Sequence, residues 1–489
     1  MRQAAPLANV LPPGRSASAA GDHGHLARVW LALAVGALAC SGLLSLGVVA
    51  ARIPALAHYW TDTELAHRVL VVHVDLAVLV WFCSFPMVLL RSWAVATGRG
   101  GPTRAVRFAP WVASVGAAML LGGLVPGVGA PYTVNYAPIV AHAWYATALI
   151  LFFGAVAVGH LDPNLWRPGS AEVVQSVGAG ALASGASLTL QRATPLVRVG
   201  STAVLVALGA TIVAAARSSR ILDTETYLET VMWGPGHLLQ IANAAFAILA
   251  WAWLAALAWA RPIGTRWMWI GVATLLALPL VAATLFLVWR DPSTWLFRQG
   301  FTALMRWGLF PAVLVALAFG VGIATRSRAP SRSDRSAASA LLASAVLMLV
   351  GFAFGVAIRG SDLRIPGHYH ACIGAVTLAY MALSLLLPGL EAGAPASPGV
   401  VAGCGRRVRR IAALYGSGQL VFASGLMWAG SYGLGRKTYG VDQQLDRDGQ
   451  QLGLLVMAIG GTLALAGGAV WAISAIARLR RLFTSVVRS

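Results

Sequence analysis

Residues 365–388 read IPGHYHACIGAVTLAYMALSLLLP, and in them His368 and His370 open a long apolar run. An α-helix turns about 100° per residue, so side chains two residues apart project to nearly opposite faces. One helix can therefore present an imidazole on each side, and each imidazole can bind a flat cofactor such as haem. A histidine that enters lipid without a partner is unfavourable, so this pair is a functional candidate.

The composition around this stretch is that of a membrane protein. The chain has 489 residues, of which 58% are hydrophobic and 11% charged, and its mean hydropathy is +0.74. Apolar content of this order predicts a chain that crosses the membrane many times. The net charge of +20 does not indicate nucleic-acid binding, because nearly all basic residues lie in short segments between apolar runs, where they set membrane orientation.

Apolar runs of about 20 residues mark membrane helices, and the chain contains twelve of them. A helix satisfies its own backbone polar groups in lipid, so the predicted fold is an all-α bundle of twelve transmembrane helices. The stretch 169–190 is rich in Ala, Gly and Ser and only weakly apolar, and we predict a loop there. The predicted spans are 29–51, 65–90, 108–126, 137–160, 196–216, 230–260, 267–289, 301–324, 338–358, 367–388, 410–431 and 451–476.

The distribution of basic residues predicts the orientation. With the N-terminus inside, the inner segments carry 24 basic residues and the outer segments carry ten, one of which is Lys437, the only lysine. The positive-inside rule then places both termini in the cytoplasm. We divide the chain into a disordered cytoplasmic tail at 1–28, a membrane domain at 29–476 and a basic cytoplasmic tail at 477–489.

Six histidines share a layer near the outer ends of even-numbered spans, which all run from outside to inside in this topology. At 1.5 Å of rise per residue, the main candidates lie about 5–15 Å below the outer surface. They are His67 and His73 in the second span, His142 in the fourth, His237 in the sixth, and His368 and His370 in the tenth. A single membrane histidine is more often a packing residue than a metal ligand, and we keep that interpretation for His67 and His142.

Two segments of this layer resemble subunit I of the haem–copper oxidases. They are HVDLAVLVWFCSFPMVLL, which starts at His73, and the H-x-H of the tenth span. Members of that family have twelve helices. The resemblance implies that His73 and His370 hold the iron of a low-spin haem and that His368 holds a high-spin haem iron on the other side of its helix. The segment MWGPGHLLQ is similar to the sixth helix of the family and implies that His237 lies opposite the high-spin haem.

The resemblance extends to the loop after the eleventh span. There GLGRKTYG supplies Arg436 and Lys437, which are implied to pair with haem propionates. The chain has no CxxCH, so the implied cofactors are two non-covalent haems, most simply b-type. Besides the lipid bilayer, the family implies as partner a small cytochrome c-like or cupredoxin-like subunit or electron donor, in a bacterial-type inner membrane.

The chain departs from the family at the second metal. The copper of the family needs two adjacent histidines before the eighth helix, and the aligned stretch reads RQGFT here, with Arg298 and Gln299 in their place. A guanidinium cannot ligate copper, so we expect no copper and expect Arg298 or Arg306 to fill part of its space. Ile241 stands where oxidases have a sixth-helix tyrosine. The sixth span resembles that of the divergent branches of the family near the cbb-type oxidases and nitric oxide reductases.

Two functions of different class are consistent with these residues. The first is a membrane oxidoreductase in which a low-spin haem passes electrons to a gas ligand, O2 or NO, at a high-spin haem, with His237, Arg298 and Arg306 as catalytic candidates. The second is a non-enzymatic haem protein that serves as an electron conduit, a gas sensor or an assembly partner. A haem-free transporter is a third alternative, which haem analysis separates from the other two.

Overall fold

The computed structural model describes residues 15–57, 62–167, 181–259, 261–325, 335–387, 398–439, 443 and 445–487. Most of them are helical. Twelve helices in these ranges are long and apolar enough to cross a membrane, which confirms the predicted all-α, twelve-helix fold class. Each helix closes its own backbone hydrogen bonds, as lipid requires.

The membrane helices are numbered α1–α12 in chain order, and α2 and α8 each contain a π-helical turn. They are α1 Arg15–Ala50, α2 Thr63–Ala96 with the π turn Asp75–Val80, α3 Arg104–Leu124, α4 Ala143–His160, α5 Thr194–Arg217, α6 Thr224–Trp259, α7 Arg266–Trp289, α8 with Trp295–Leu304 and Phe310–Thr325 on either side of the π turn Met305–Leu309, α9 Arg335–Val356, α10 Arg364–Leu386, α11 Pro398–Ser431 and α12 Asp448–Val487. Short helices at Pro54–Ala57, Pro163–Trp166 and Ala181–Arg192 lie in connections, and β1 (Pro131–Tyr132) pairs antiparallel with β2 (Ile139–Val140).

The first helix is longer than predicted. It begins at Arg15, and His23 and Leu26 are buried in it, so the segment 1–28 that we predicted to be disordered is in part helical. Residues 1–14 lie outside the described residues. Polar residues such as His23 lower the apolar signal of a sequence window without breaking a helix, and for that reason the predicted start at 29 fell inside the helix.

Two further boundaries differ from the sequence prediction. The helix α12 continues to Val487, so most of the predicted basic tail at 477–489 belongs to it. The predicted loop at 169–190 is helical from Ala181 onwards, and residues 168–180 lie outside the described residues. Helix propensity of Ala-rich sequence, rather than hydrophobicity, explains the second difference.

The three helices with the most buried central segments are α2, α6 and α10. These are the helices that carry His73, His237, His368 and His370. The remaining helices turn more of their surface outward, where apolar side chains suit lipid. The candidate ligands therefore lie in the middle of the bundle, towards the end at which α1 finishes and α2 begins. We call this end of the bundle the outer end, and the opposite end the inner end, after the predicted orientation.

Small residues bring α11 and α12 close together, and this contact places one side of the histidine region. A Cβ atom at Gly460 would lie 2.2 Å from the backbone nitrogen of Phe422, and one at Gly425 would lie 2.2 Å from that of Met457. Only glycine permits so close an approach of two membrane helices. The backbone of α11 is thereby fixed at Phe422, whose ring contacts His370.

The start of α10 is fastened to the loop that follows α11. Asp362 and Gly435 form an isolated antiparallel bridge, and the backbone N–H of Leu363 donates to the carbonyl of Leu434 at 3.0 Å. The guanidinium of Arg364 donates hydrogen bonds to both carboxylate oxygens of Asp362, with an Nη2–Oδ2 distance of 2.6 Å. The loop that carries Arg436 is thus tied directly to the helix that carries the H-x-H.

Candidate functional site

His73 lies two residues before the π turn of α2, and its imidazole is fixed by α1. Its Nδ1 lies 2.9 Å from the backbone carbonyl oxygen of Ser41 and 2.9 Å from the Ser41 Oγ. The Ser41 hydroxyl also donates to the backbone carbonyl of His73 at 3.0 Å. Because a carbonyl only accepts, the proton of a neutral ring sits on Nδ1, and Nε2 keeps a free lone pair.

His370 points to the same region from α10. Its ring packs edge-on against Phe422, with ring centroids 4.9 Å apart. It lies close enough to His73 for the charges of the two imidazoles to interact. Both residues are half-buried. The structure therefore places these two histidines near each other.

His368 is turned to the other side of α10. Its Nδ1 lies 2.6 Å from the backbone carbonyl oxygen of Gly351 in α9, and its ring centroid lies 6.0 Å from that of Phe310 in α8. A Cβ atom at Gly355 would lie 2.9 Å from the same Nδ1, so that glycine makes room for the ring. The H-x-H thus serves two separate regions, one towards α2 and α11 and one towards α8 and α9.

His73 and His368 share an arrangement that is common among metal-binding histidines. In each, Nδ1 donates to a backbone carbonyl, which fixes the tautomer and the ring plane and leaves Nε2 to ligate. The ligating atoms on offer are imidazole nitrogens, which suit haem iron, and the Sγ of Cys372 lies 3.9 Å from His368 Nδ1. No described residue is hydrogen-bonded to a ring nitrogen of His370, so its nitrogens are also available.

His237 is placed differently, because both of its ring nitrogens are engaged. Nδ1 lies 2.6 Å from the backbone carbonyl of Trp233, one helical turn earlier in α6, and Nε2 lies 3.0 Å from the hydroxyl of Tyr136. With the proton on Nδ1, the phenol donates to Nε2. The ring is buried and lies 5.5 Å from that of Phe301 and 5.0 Å from that of Trp233. Aromatic side chains therefore surround it.

Tyr136 is a site residue that the sequence analysis did not identify. It lies in the connection between β1 and β2 and has φ = 69°, a left-handed conformation that is unfavourable for a tyrosine. The preceding residue, Asn135, holds it there, because its backbone and side-chain N–H groups both donate to the carboxylate of Glu229. A Cβ atom at Gly236 would lie 2.2 Å from the Tyr136 ring, so the glycine of WGPGH accommodates that ring.

The hydroxyl of Tyr136 is a neutral donor. Burial raises the pKa of Tyr136, and the nearby carboxylate of Glu229 raises it further. The phenol therefore keeps its proton at physiological pH and can satisfy the buried Nε2 of His237. No local motif predicts this pair, because Tyr136 and His237 are 101 residues apart in sequence.

The two candidates from α8, Arg298 and Arg306, lie in different surroundings. The guanidinium of Arg298 lies over the ring of Trp233, 5.4 Å from its centroid, and Gln299 is exposed. Arg306 is also exposed, so the expectation that it fills the copper space is not met. In the π turn of α8, Met305 and Leu309 take the buried positions, which turns Arg306 outward. Among the described residues, no three His, Cys, Asp or Glu side chains form a ready metal site.

The two residues of the predicted basic pair, Arg436 and Lys437, have different partners. Lys437 forms an ion pair with Glu225 at the start of α6, at 3.2 Å, and both side chains are well exposed. Arg436 is half-buried, and its backbone carbonyl accepts a hydrogen bond from the guanidinium of Arg52. Arg52, just after α1, is buried and lies close enough to His370 for their charges to interact. Arg52, which the sequence analysis did not identify, thus lies near His370.

A buried carboxyl accompanies His73. Asp75, the first residue of the π turn, accepts a hydrogen bond of 2.5 Å from the hydroxyl of Tyr145 in α4, and both side chains are fully buried. The two predicted packing histidines of this layer lie nearer the surface. His67 contacts Tyr439 edge-on, at 6.0 Å between centroids, and His142 caps the start of α4.

Comparison with known proteins agrees with this architecture. No family model matches the chain. An uncharacterized protein of Aquifex aeolicus strain VF5 is 26% identical over 369 residues, which cover 73% of this chain and 83% of that protein. An uncharacterized protein of Rickettsia prowazekii strain Madrid E is 23% identical over 500 residues, covering 91% of this chain and 94% of that one.

One solved structure is similar over nearly the whole chain. It is a haem–copper terminal oxidase dimer determined by cryo-electron microscopy, and it superposes with a TM-score of 0.64 at 16% sequence identity. The match covers 93% of this chain and 84% of that chain. The twelve-helix bundle described above therefore has the fold of a haem–copper oxidase subunit I.

Proposed function

We propose that the chain is a membrane haem protein that works as a dihaem oxidoreductase of the haem–copper oxidase type, with a degenerate copper site. The observation that carries this proposal is the pair His73 and His370, which lie within electrostatic reach of each other, with the Nδ1 of His73 held by Ser41 and its Nε2 left to ligate. His368, on the opposite side of α10, presents a third oriented imidazole to a separate region.

The residues present fit this cofactor. His73 and His370 would hold a low-spin haem from both sides, and His368 would hold a second haem on one side. When bound, the two haems would supply electron transfer and the binding of a gas such as O2 or NO. The protein contributes the fixed ring orientations through Ser41 and Gly351, together with a low-dielectric enclosure.

Copper has a poor donor set in this chain. The sequence has no His-His pair, and the two nitrogens of His237 are engaged by Trp233 and Tyr136. One imidazole does not make a copper site. This arrangement supports ligand binding with slow multi-electron turnover, since neither a second metal nor an oxidase-type tyrosine at position 241 is available to share electrons.

The same observation favours an alternative class of function. A chain that binds haem but has aromatic side chains around His237 is also suited to be a non-enzymatic electron conduit, a gas sensor or an assembly partner. Turnover separates the two classes. An oxidoreductase consumes O2 or NO when supplied with electrons, whereas a conduit or sensor binds the gas or passes electrons on without consuming it.

The setting of the protein follows from the same proposal. We place it in a bacterial-type inner membrane with both termini in the cytoplasm, because arginine is concentrated in alternate connections. Its electron donor or partner subunit would be a small cytochrome c-like or cupredoxin-like protein that docks at the outer end, near the histidine layer.

The decisive experiment is haem analysis of the purified full chain. A pyridine haemochrome spectrum should show two b-type haems per chain, and the optical spectrum should contain one six-coordinate low-spin component and one high-spin component. Reduced protein should then be assayed for consumption of O2 and NO. A colourless, haem-free protein would contradict the proposal and leave a transporter as the better interpretation.

A further inference from the structure

Arg306 places a charged side chain on the outward face of α8. In the π turn of that helix, Met305 and Leu309 face the bundle, whereas Arg306 and Trp307 are exposed, the tryptophan to 75%. Neither of the two exposed side chains makes a hydrogen bond or an ion pair with a described residue. Two adjacent hydrogen-bond donors, one of them charged, thus point away from the described part of the protein.

The packing of α8 against α7 gives the depth of this face. A Cβ atom at Gly308 would lie 2.7 Å from the Cβ of Pro279, so these two residues are level. The exposed Trp267 and Trp289 mark the two ends of α7, as the aromatic belts of a membrane protein do, and they are separated by about 33 Å of helix. Pro279 lies about 15 Å from the second of them. Arg306, two residues before Gly308, is therefore about 12 Å below the outer interface, inside the hydrocarbon layer.

Neither donor suits contact with lipid at this depth. Charged side chains within membrane spans normally face the bundle interior and pair with another group. An arginine near a helix end can reach the headgroups, but the interface is farther from Arg306 than its side chain extends. An indole N–H is likewise usually found at the interface or bonded to an acceptor, and Trp307 has neither. Both side chains therefore indicate that a further chain covers this face.

The two donors indicate the chemistry of that chain. A guanidinium is matched best by a carboxylate, and arginine and tryptophan are the side chains most enriched at the energetic centres of protein interfaces. A second copy of this protein does not offer the carboxylate. Among the described spans, only Asp75 lies more than five residues from a helix end, and it is buried against Tyr145. Charge complementarity thus favours a different protein.

We propose that a transmembrane helix of another protein packs on the outward face of α8 and places an Asp or Glu carboxylate against Arg306. This α8 face consists of Arg306, Trp307 and Leu314, which is 43% exposed and lies two helical turns beyond the tryptophan. The inference requires only the membrane position of α8. It is independent of the cofactors in the proposed function.

The test identifies what touches the α8 face in membranes of cells that make the full chain at its natural level. The photocrosslinking amino acid benzoylphenylalanine is introduced at Leu314 and, as a control, at the exposed Ile212 of α5. Mass spectrometry of the crosslinked peptides identifies the captured segment. Leu314 should capture a membrane-spanning segment that contains Asp or Glu, and Ile212 should not capture that segment.

Substitutions then measure the contribution of the charge. Arg306→Gln should lower the crosslink yield from Leu314 by about tenfold or more, because it leaves the carboxylate of the partner in the membrane without a counter-charge. Arg306→Lys should keep most of the yield. Arg266→Gln removes an exposed arginine at the end of α7 and should match the wild type. Arg306→Glu should regain the yield when the carboxylate of the captured helix is changed to arginine.

Four results would overturn the inference. Crosslinks from Leu314 to lipid alone would show that the α8 face is open to the bilayer, and a crosslink to a second copy would make it a dimer interface. A captured helix without a carboxyl group, or an unchanged yield in Arg306→Gln, would remove the ion pair. If Arg306→Gln does not accumulate, Arg306→Lys and the identity of the segment captured with native Arg306 decide the question.

Discussion

The backbone carbonyl of Ser41 and the imidazole of His73 are joined by a hydrogen bond of 2.9 Å at Nδ1. This contact links α1 to α2 across 32 residues of sequence and fixes the ring plane of His73. Because the acceptor is a main-chain oxygen, no side-chain substitution in α1 removes it directly. The orientation of this candidate ligand is therefore a property of the packing of two helices.

The first prediction concerns the three candidate ligands. His73→Ala and His370→Ala should each abolish the six-coordinate low-spin spectrum, because either change leaves that iron one axial ligand short. His368→Ala should remove the high-spin component alone, since its ring faces α8 and α9. Optical and electron paramagnetic resonance spectra of the purified variants provide the measurement.

The control for this series is His142→Asn. His142 is exposed and caps α4, and asparagine is a good N-cap, so the fold should be retained and both spectral components should persist. An unchanged low-spin spectrum in His73→Ala or His370→Ala would sink the assignment of these residues.

The second prediction concerns Tyr136 and His237. Tyr136→Phe removes the donor of a buried acceptor, Nε2 of His237, and should lower the free energy of unfolding by about 1–3 kcal/mol. Unfolding in mixed detergent and dodecyl sulfate gives the measurement. Tyr132→Phe, in the same hairpin, is the control and should change stability little. Equal stability of the two variants would show that the Tyr136 hydrogen bond contributes nothing.

The third prediction compares two ion pairs at the inner end of the bundle. Arg91 and Asp162 are both fully buried and 2.6 Å apart, whereas Arg107 and Asp22 are partly exposed and 2.8 Å apart. Asp162→Asn leaves a buried guanidinium uncompensated and should destabilise by about 3–5 kcal/mol. Asp22→Asn should cost less than about 1 kcal/mol. Chemical unfolding of both variants tests the difference, and similar losses would contradict the burial of the first pair.

The fourth prediction is a pH dependence at the start of α10. Burial opposes ionisation of Asp362, but the hydrogen bonds and charge of Arg364 outweigh it and lower the pKa of Asp362. A carboxyl whose pKa is lower in the folded state stabilises the fold above its unfolded pKa, and this contribution is lost as the pH falls through the lowered pKa.

The stability gained from ionised Asp362 should therefore be complete above about pH 5 and should decline below about pH 4. Melting temperatures of the wild type and Asp362→Asn, measured from pH 7 to pH 3, should converge as the pH falls. The exposed Asp446→Asn provides the control. A difference in melting temperature that stays constant with pH would contradict the role given to the Asp362–Arg364 pair.

The fifth prediction is that the purified chain holds less than one copper per molecule. His237 has both nitrogens engaged, and Arg298 lies over Trp233 and offers no ligand. Metal analysis by mass spectrometry, before and after incubation with copper and washing, provides the measurement. One tightly held copper per chain, or rapid reduction of O2 to water, would show that the region around His237 has been misread.

The number of membrane helices and the placement of His368 and His370 on opposite sides of α10 could be predicted from the sequence. Both are local properties. An apolar run of about 20 residues predicts a membrane helix, because it is long enough to cross the bilayer and a helix pairs all its backbone polar groups within the run. The separation of His368 and His370 onto opposite faces follows from helical geometry alone, and the structure places them towards α9 and α11, respectively.

The contacts between residues of different helices could not be predicted from the sequence. Tyr136 and His237 are 101 residues apart, and Arg52 and Arg436 are 384 apart, so no window of sequence contains either pair. The exposure of Arg306 could not be predicted from the sequence either. In lipid the outward face of a helix is as apolar as its inward face, so hydrophobicity does not tell which face is buried. Hydrophobicity thus specifies that a helix lies in the membrane, whereas its packing against neighbouring helices decides which of its side chains reach the site.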